Sequence, residues 1–226
     1  MRPVGILGGM GPEATILLMR RVMAAVPARD DADHVPLIVH QNPQVPSRIA
    51  ALIEGTGADA GPVLAGMARG LAAAGAEGLA MPCNTAHHYA PVIREATALP
   101  FLNMVDLTAA TLKARGARRV GLLASPATRL ARVFDAPFAA HELVPVTLAD
   151  DGDLLAIIRA VKAGEEAARL APRVSDQAEA LMRQGADHLL VACTELSLMT
   201  DALSDAAPHT DSLDCLTDAV VSFAQG

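Results

Sequence analysis

Two segments of this chain carry the same pattern around a cysteine. Residues 75–85 read Gly-Ala-Glu-Gly-Leu-Ala-Met-Pro-Cys-Asn-Thr, and residues 185–194 read Gly-Ala-Asp-His-Leu-Leu-Val-Ala-Cys-Thr. Each segment begins with Gly-Ala and an acid, continues through a short apolar run typical of a buried strand, and places a cysteine eight residues after the glycine. Cys83 and Cys193 are therefore predicted to occupy the same structural position, used twice, 110 residues apart.

The position of these two cysteines indicates acid–base chemistry. A residue that follows a strand of a parallel sheet lies at the carboxyl edge, where open α/β folds bind their ligands. Each cysteine is expected where a strand gives way to a helix, and backbone N–H groups with the positive helix end favour a thiolate there. Two facing thiols can remove a proton from one side of a carbon atom and return one on the other.

Neither the third cysteine nor the spacing of possible metal ligands indicates a further functional site. Cys215 lies inside a predicted helix and has no counterpart in the other half, so we interpret it as a buried structural residue. No second cysteine or histidine lies at zinc-finger spacing from Cys83 or Cys193, so no metal site is predicted.

The elements that position the cysteines are also duplicated. The opening strand at 3–8 is repeated at 119–124, and each runs into a loop that contains a proline and then into an alanine-rich helix. Apolar runs and turn signals predict strands at 3–8, 35–41, 77–82, 119–124, 142–147 and 187–192. Helical patterns predict helices at 12–25, 58–74, 85–97, 106–115, 127–135, 151–163, 166–184 and 213–224.

The repeat, the composition and the order of elements predict an α/β fold of two similar Rossmann-like domains that face each other, with mostly parallel four-stranded sheets. The 226 residues are 52% hydrophobic but only 2% aromatic, which favours close packing of Ala, Leu, Val, Ile and Met. The helix from 213 is expected to fold back on the first domain. The predicted domains are therefore 1–104 with 209–226, and 105–208.

Charge and hydropathy patterning exclude several classes of protein. The net charge is −7 and no long basic stretch exists, so nucleic-acid binding is not expected. No apolar run reaches membrane-spanning length, and the N-terminus enters a strand rather than forming a signal peptide. The odd number of cysteines, three, fits a reducing cytoplasm.

Four motifs, in order along the chain, together resemble one family. They are residues 5–15 (Gly-Ile-Leu-Gly-Gly-Met-Gly-Pro-Glu-Ala-Thr), 42–48 (Asn-Pro-Gln-Val-Pro-Ser-Arg), 81–87 (Met-Pro-Cys-Asn-Thr-Ala-His) and 193–196 (Cys-Thr-Glu-Leu). This pattern resembles the cofactor-independent aspartate racemases of the aspartate/glutamate racemase family, over essentially the whole chain. The resemblance implies two pseudo-symmetric domains with the active site in the cleft between them, a small amino-acid substrate, no pyridoxal phosphate or other cofactor, and a homodimer.

The resemblance also assigns roles to single positions. Cys83 and Cys193 resemble the two acid–base thiols of the family. The positions that it associates with substrate binding are Met10, Gln44, Arg48, Asn84, Thr85, Thr128, Lys162, Thr194 and Glu195. Among them, Asn84, Thr85 and Thr194 are expected to hold the α-amino and α-carboxylate groups. Arg48 and Lys162 are expected near an acidic side chain, for which arginine offers bidentate hydrogen bonding.

Some positions depart from the family pattern or leave alternatives open. Ser47 stands where the family usually has Asp, and residues 125–128, Ser-Pro-Ala-Thr, replace a Thr-x-Gly-Thr-like loop. His87 either tunes the Cys83 thiol or lies on the first turn of the following helix. Glu195 orients the second thiol, orients the substrate amino group, or favours the N-terminus of its helix.

Three other functions fit parts of the sequence. Gly9-x-Gly11-x-x-Ala14 matches a loose dinucleotide-binding fingerprint, but the acids at 30–33 precede the second strand, whereas the fingerprint needs an acid at its end. A two-domain cleft also suits a non-catalytic small-molecule binding protein. A racemase of broader amino-acid specificity, or a related two-cysteine isomerase, uses the same pair of cysteines. An aspartate racemase accounts for the most motifs.

Overall fold

Two parallel four-stranded sheets form the frame of the computed structural model, which describes residues 1–203 and 208–226. The strands are β1 (Val4–Gly8), β2 (Leu37–Gln41), β3 (Gly78–Ala80), β4 (Phe101–Leu102), β5 (Arg119–Ala124), β6 (Val144–Val146), β7 (His188–Ala192) and β8 (His209–Asp211). The first sheet has the order β2-β1-β3-β4 and the second the order β6-β5-β7-β8. The predicted two-sheet α/β architecture is confirmed.

Helices cover both sheets and contribute the other side of each core. They are α1 (Pro12–Ala25), α2 (Arg48–Leu52), α3 (Gly61–Ala73), α4 (Ala90–Ala96), α5 (Met104–Ala114), α6 (Pro126–Leu130), α7 (Asp135–Ala140), α8 (Gly152–Lys162), α9 (Ala167–Arg183) and α10 (Ser212–Gln225). Short 3₁₀ helices follow the two cysteines, at Thr85–Tyr89 and Leu196–Leu203. Among the described residues, no helix is both long and apolar enough to cross a membrane.

The strand order explains why the two cysteines reach the same region. In each sheet the chain first moves to one side, from β1 to β2 or from β5 to β6, and then crosses to the other side. The loops after β1 and β3, and after β5 and β7, therefore diverge at a topological switch point, where a crevice opens at the carboxyl ends of parallel strands. Cys83 and Cys193 follow β3 and β7, so the fold places both cysteines at switch points.

Two equivalent glycines set how closely a helix approaches each sheet. A Cβ atom on Gly5 of β1 would lie 2.9 Å from Leu79, 3.0 Å from Ala76 and 3.1 Å from Leu71. A Cβ atom on Gly121 of β5 would lie 2.9 Å from Leu189, 3.1 Å from Ala186 and 3.0 Å from Leu181. The sequence repeat thus reproduces the same packing against α3 in one half and against α9 in the other.

Several elements differ from the prediction. The single helix predicted over 127–135 is wrong: Arg132 has a φ of 54°, a left-handed conformation that separates α6 from α7. The helix predicted over 85–97 begins as a 3₁₀ helix, and α2 was not predicted. Strands β4 and β8 were also missed, because β4 has two residues and β8 is the polar edge segment His-Thr-Asp.

The C-terminal helix α10 returns to the first sheet. Leu213, Leu216 and Val220 pack in one apolar cluster with Val4 and Ile6 of β1. The domain boundaries at 104/105 and 208/209 stay a prediction. The strand pairing departs from the second boundary at β8. This strand pairs with β7 in the second sheet, although the prediction counted residues 209–211 with the first domain. Residues 204–207 of the predicted second domain lie outside the described residues.

Alanine substitution at either repeated glycine should destabilise the fold. Gly5→Ala and Gly121→Ala each force a methyl group against three side-chain atoms, and overpacking of this kind costs about 1–3 kcal/mol. The measurement is urea unfolding followed by circular dichroism. Gly66→Ala on α3 is the matched control, because nothing outside its own helix backbone lies within 4 Å of the position that the added methyl group would take, and alanine favours a helix. Equal unfolding midpoints for Gly121→Ala and Gly66→Ala would contradict this account of the packing.

Candidate active site

A cleft of about 390 Å³ lies where the carboxyl ends of the two sheets meet. Its walls come from the loop after β1, the segment before and at the start of α2, the end of α8, and the segments that follow β3, β5 and β7. Of the predicted site residues, the cleft is lined by Met10, Arg48, Cys83, Asn84, Thr85, Lys162, Cys193, Thr194 and Glu195. Residues far apart in the sequence, from both halves, thus share one cavity.

Both cysteines are buried, free thiols that line this cleft. Cys83 is 8% exposed and Cys193 is 7% exposed. They come from opposite halves of the molecule, each from the segment that directly follows a central strand. Cys215 lies in α10 and does not line the cleft, which agrees with its interpretation as a buried structural residue.

The Cys193 thiol belongs to a hydrogen-bonded chain of three side chains. Cys193 Sγ donates to Oε2 of Glu195 at 3.0 Å, and Lys162 Nζ forms an ion pair with Oε1 of the same carboxylate. Lys162 is the last residue of α8, and Gly164, two residues later, has a φ of 89°. The ammonium group that the sequence suggested for an acidic substrate is therefore already paired with a carboxylate.

This environment opposes ionisation of Cys193. Burial raises the pKa of the Cys193 thiol well above its ordinary value, and the charge and hydrogen bond of Glu195 raise it further, while Lys162 acts in the opposite direction. The sequence had predicted that the helix end would favour a thiolate. At Cys193, burial and the nearby carboxylate act against that expectation.

Burial is the largest single influence on the pKa of Lys162 and lowers it, but the charge and hydrogen bond of Glu195 together with the charges of both cysteines raise the pKa overall. Lys162 is therefore a fixed cation at neutral pH. Its interaction with both cysteines shows that the ammonium lies within electrostatic reach of each thiol.

The residues that follow each cysteine form hydrogen bonds that connect the two halves, either directly or through Ser212 of α10. Thr85 Oγ1 and Thr128 Oγ1 share a hydrogen bond of 2.7 Å, and Thr194 Oγ1 donates to the carbonyl of Pro82 at 3.3 Å. Asn84 Nδ2 donates to Ser212 Oγ at 2.9 Å, and Ser212 in turn donates to a carbonyl of β7. Asn84 Oδ1 is buried and has no hydrogen-bond partner among the described residues. A free buried acceptor therefore lies beside Cys83.

Arg48 begins α2 and its guanidinium turns back over the preceding loop. Its Nη1 donates to the carbonyls of Val45 at 3.2 Å and Pro46 at 2.7 Å, while its buried Nε has no partner in the described part of the chain. Ser47, where the family usually has Asp, caps α2 by accepting from the Ala50 N–H. The guanidinium thus keeps donor capacity for a ligand in the cleft.

Two predicted site residues do not line the cleft. Gln44 is exposed, although its neighbours Pro43 and Val45 contribute to the wall. Thr128 is buried behind Thr85 and reaches the cleft only through the hydrogen bond to that residue. The sequence also missed Ser125 and Gly11 as wall residues, because a single serine and a glycine without a side chain gave no chemical signal.

His87 forms two hydrogen bonds that decide between the alternatives left open by the sequence. Its Nδ1 donates to the carbonyl of Cys83 at 2.8 Å, and its Nε2 accepts from the Met104 N–H at 3.1 Å. Both bonds require the neutral ring, because Nε2 must be unprotonated to accept. Burial lowers the pKa of His87 to about 4, partly offset by the bond to Cys83. His87 therefore fixes the backbone of Cys83 and caps α5, while His88 is exposed.

No group of three or more His, Cys, Asp or Glu side chains in residues 1–203 and 208–226 has the arrangement of a metal site. Among the described residues of the cleft wall, the ionisable side chains are the two thiols, two carboxylates, the lysine and the arginine.

Comparisons with known proteins agree with this geometry. The sequence profile of the Asp/Glu/hydantoin racemase family matches residues 7–220. The chain is 24% identical to a broad specificity amino-acid racemase, RacX, of Bacillus subtilis (strain 168), covering 97% of this chain and 96% of that protein. The structure of an aspartate racemase from Picrophilus torridus superposes with a TM-score of 0.86 at 29% identity, covering 100% of this chain and 95% of that chain.

An aspartate racemase homologue from Pyrococcus horikoshii OT3 superposes with a TM-score of 0.74, covering 100% of both chains. At 21% identity this likeness shows the fold alone.

The neutral His87 ring should make folding depend on pH in a specific window. Its pKa falls from about 6.5 in the unfolded chain to about 4 in the folded protein, so the folded state binds fewer protons in that interval. The contribution of His87 to the free energy of unfolding is therefore greatest above pH 6.5, and about 3 kcal/mol is lost as the pH falls towards 4. In His87→Gln, stability measured by urea unfolding should therefore fall less between pH 7 and pH 4 than in the wild type.

His88→Gln is the matched control, since this neighbouring ring is exposed and its removal should leave the pH dependence as in the wild type. Parallel stability curves for the wild type and His87→Gln would contradict the assignment of a neutral, buried His87.

Proposed function

The chain belongs to the Asp/Glu/hydantoin racemase family, and from that premise we propose that it racemises an acidic amino acid, aspartate, through Cys83 and Cys193 without a cofactor. The observation that carries the proposal is the arrival of two buried thiols in one cleft from opposite halves of a duplicated fold. One thiolate removes the α-proton and the opposite thiol donates a proton to the other face of the carbon atom.

Racemisation needs an acid and a base on opposite faces of the substrate. An unperturbed thiol titrates at a pKa of about 8.5, so one cysteine has to ionise near the working pH while the other stays protonated. In this mechanism the two thiols hold one proton between them. Each substrate enantiomer then requires one of the two protonation states of this pair.

The α-amino and α-carboxylate groups find suitable partners around the cysteines. The unpartnered Oδ1 of Asn84 is placed to accept from the α-ammonium group, since a buried acceptor without a partner is costly in the free protein. Thr85 and Thr194 offer hydroxyl groups for the α-carboxylate. Thr128 supports this role from behind, because a hydroxyl that donates to Thr85 leaves the Thr85 proton free for the substrate.

Recognition of an acidic side chain is assigned to Arg48. Its Nη1 is engaged by two backbone carbonyls, and its Nε is unpaired, so the remaining donors can receive a carboxylate. The similarity to an aspartate racemase over the whole chain supports aspartate as the substrate.

A racemase of broad amino-acid specificity is the second candidate. The pairing of Lys162 with Glu195 favours it, because this pairing removes one of the two cations proposed for a second substrate carboxylate. The likeness to a broad specificity amino-acid racemase points in the same direction.

We also propose that the protein works as a homodimer in the cytoplasm. The exposed apolar side chains of Ile16, Met19 and Met23 follow one face of α1, and a second copy is a suitable partner for such a face. The three cysteines are free thiols, as expected in a reducing compartment.

Removal of either cleft thiol should abolish racemisation. Cys83→Ala and Cys193→Ala each remove the acid or base from one face, and such groups contribute about 10²–10⁴-fold. Activity is measured by NMR as exchange of the α-hydrogen for deuterium, screened over D- and L-amino acids, together with optical inversion. Cys215→Ala is the control and should keep the wild-type rate. Full racemase activity in either cleft variant would exclude the two-base mechanism, and α-exchange of no amino acid by the wild type would exclude a racemase.

Arg48→Ala should distinguish an acidic from a broad substrate range. Loss of a charged hydrogen-bond partner of a carboxylate costs about 1.5–3 kcal/mol, roughly ten- to a hundredfold in kcat/KM. The decrease should be confined to aspartate and glutamate, while alanine and serine, which lack the second carboxylate, keep their rates. Arg48→Lys is the matched variant, which retains the charge without the planar fork and should recover part of the loss. An equal decrease for aspartate and alanine would favour the broad-specificity candidate.

A further inference from the structure

We infer that the two thiols are unequal in the free protein: Glu195 keeps the shared proton on Cys193, so Cys83 is the base before substrate binds. This inference rests on the proposed two-thiol function and assigns Glu195 as a positioning residue that acts through Cys193.

The hydrogen bond between Cys193 and Glu195 determines which of the two groups carries the proton. An ionised carboxylate accepts but cannot donate, so the 3.0 Å contact requires a proton on the Cys193 sulfur. Lys162 holds the other oxygen of Glu195 in an ion pair, so the carboxylate lies between a cation and the Cys193 sulfur. A thiolate on Cys193 would lose this hydrogen bond and face a like charge.

The repeat places a different residue at the corresponding point of the other half. Two residues after Cys193 stands Glu195, whereas two residues after Cys83 stands Thr85, whose hydroxyl is bonded to Thr128. The Cys83 sulfur has no hydrogen-bond partner among the described residues, and the Lys162 ammonium interacts with it electrostatically. The carboxylate that holds a proton on one thiol is thus replaced by a neutral group at the other.

Other charged groups around the cleft do not reverse this asymmetry. Cys193 is faced by Glu195 from its own segment, by Lys162 from the end of α8 and by Cys83 from the opposite half. The remaining charged side chains of the described cleft wall are Glu13 on α1 and Arg48 on α2, and neither forms a hydrogen bond with Cys193. Exposure does not separate the thiols either, because their exposed fractions are nearly equal.

The asymmetry has a consequence for the reaction cycle. The enantiomer whose α-hydrogen faces Cys83 reacts with the resting protein: the C–H bond breaks, a Cys83 S–H bond forms, and the Cys193 proton moves to the opposite face of the carbon. This leaves a Cys193 thiolate beside Glu195. The resting state returns when a proton passes from Cys83 to solvent and another from solvent to Cys193, or when the opposite enantiomer reacts.

Alkylation of the substrate-free protein tests this inference. Iodoacetamide reacts with thiolates, and peptide mass spectrometry gives a separate rate for each cysteine as a function of pH. In the wild type at pH 7.5 we expect Cys83 to react at least about tenfold faster than Cys193, since each pKa unit between two thiols changes their thiolate ratio tenfold. Equal rates, or faster reaction of Cys193, would overturn the inference without any variant.

Glu195→Gln should raise the rate of Cys193 alkylation at pH 7.5 by about tenfold and shift its rate–pH profile to lower pH, since it removes one negative charge. Glu195→Asp, which keeps the charge, should restore most of the wild-type profile. Glu142→Gln is the matched control, because Glu142 also pairs with a lysine, Lys113, but lies away from the cleft. An unchanged Cys193 profile in Glu195→Gln would refute the role of Glu195. Because no substrate is present, these outcomes are independent of whether the protein proves to be a racemase.

Discussion

The candidate site depends on how the two cysteine segments are held against each other. Thr85 follows one cysteine and Thr194 follows the other, and each forms a hydrogen bond to the opposite half, at distances of 2.7–3.3 Å. Asn84 reaches the second sheet through Ser212, the first residue of α10. The same residues are the ones proposed to hold the substrate. Contact between the halves and orientation of the substrate groups are therefore functions of one set of side chains. A change that separates the halves would also disorder the binding groups, because these side chains take part in both.

Close packing within each half positions the cysteine segments for this contact. Gly5 and Gly121 permit helices α3 and α9 to approach their sheets at matching distances, which fixes where β3 and β7 end relative to the helices. A core poor in aromatic residues suits such close approach, since alanine and branched aliphatic side chains fill thin layers. Arg21 of α1 adds a further constraint: it pairs with the buried Asp211 at 2.6 Å and donates to the carbonyl of Ser197. The first helix is thus tied to β8 and to the segment that follows Cys193.

The sequence predicted the fold and the paired cysteines because both are recorded in a repeat. A duplicated strand pattern identifies the central strands, and a residue directly after such a strand lies at the carboxyl edge of a parallel sheet. The details that sequence could not supply come from contacts between distant segments. Lys162 and Glu195 lie 33 positions apart, and their pairing depends on where α8 ends. The double hydrogen bond of His87 requires the start of α5, and the break at Arg132 reflects a backbone conformation that its residue type does not favour.

The charges that line the cleft do not by themselves select an acidic substrate. Among the described residues, the formal charges of Arg48 and Lys162 balance those of Glu13 and Glu195, so one ionised thiol makes the cleft net negative. An acidic amino acid adds a further negative charge, whereas a neutral amino acid adds none. The field of the empty cleft therefore does not favour a dicarboxylate. Any preference for aspartate has to come from short-range hydrogen bonds, such as a bidentate contact between a carboxylate and an arginine. Specificity in this cleft is consequently a question of whether the second carboxylate reaches Arg48.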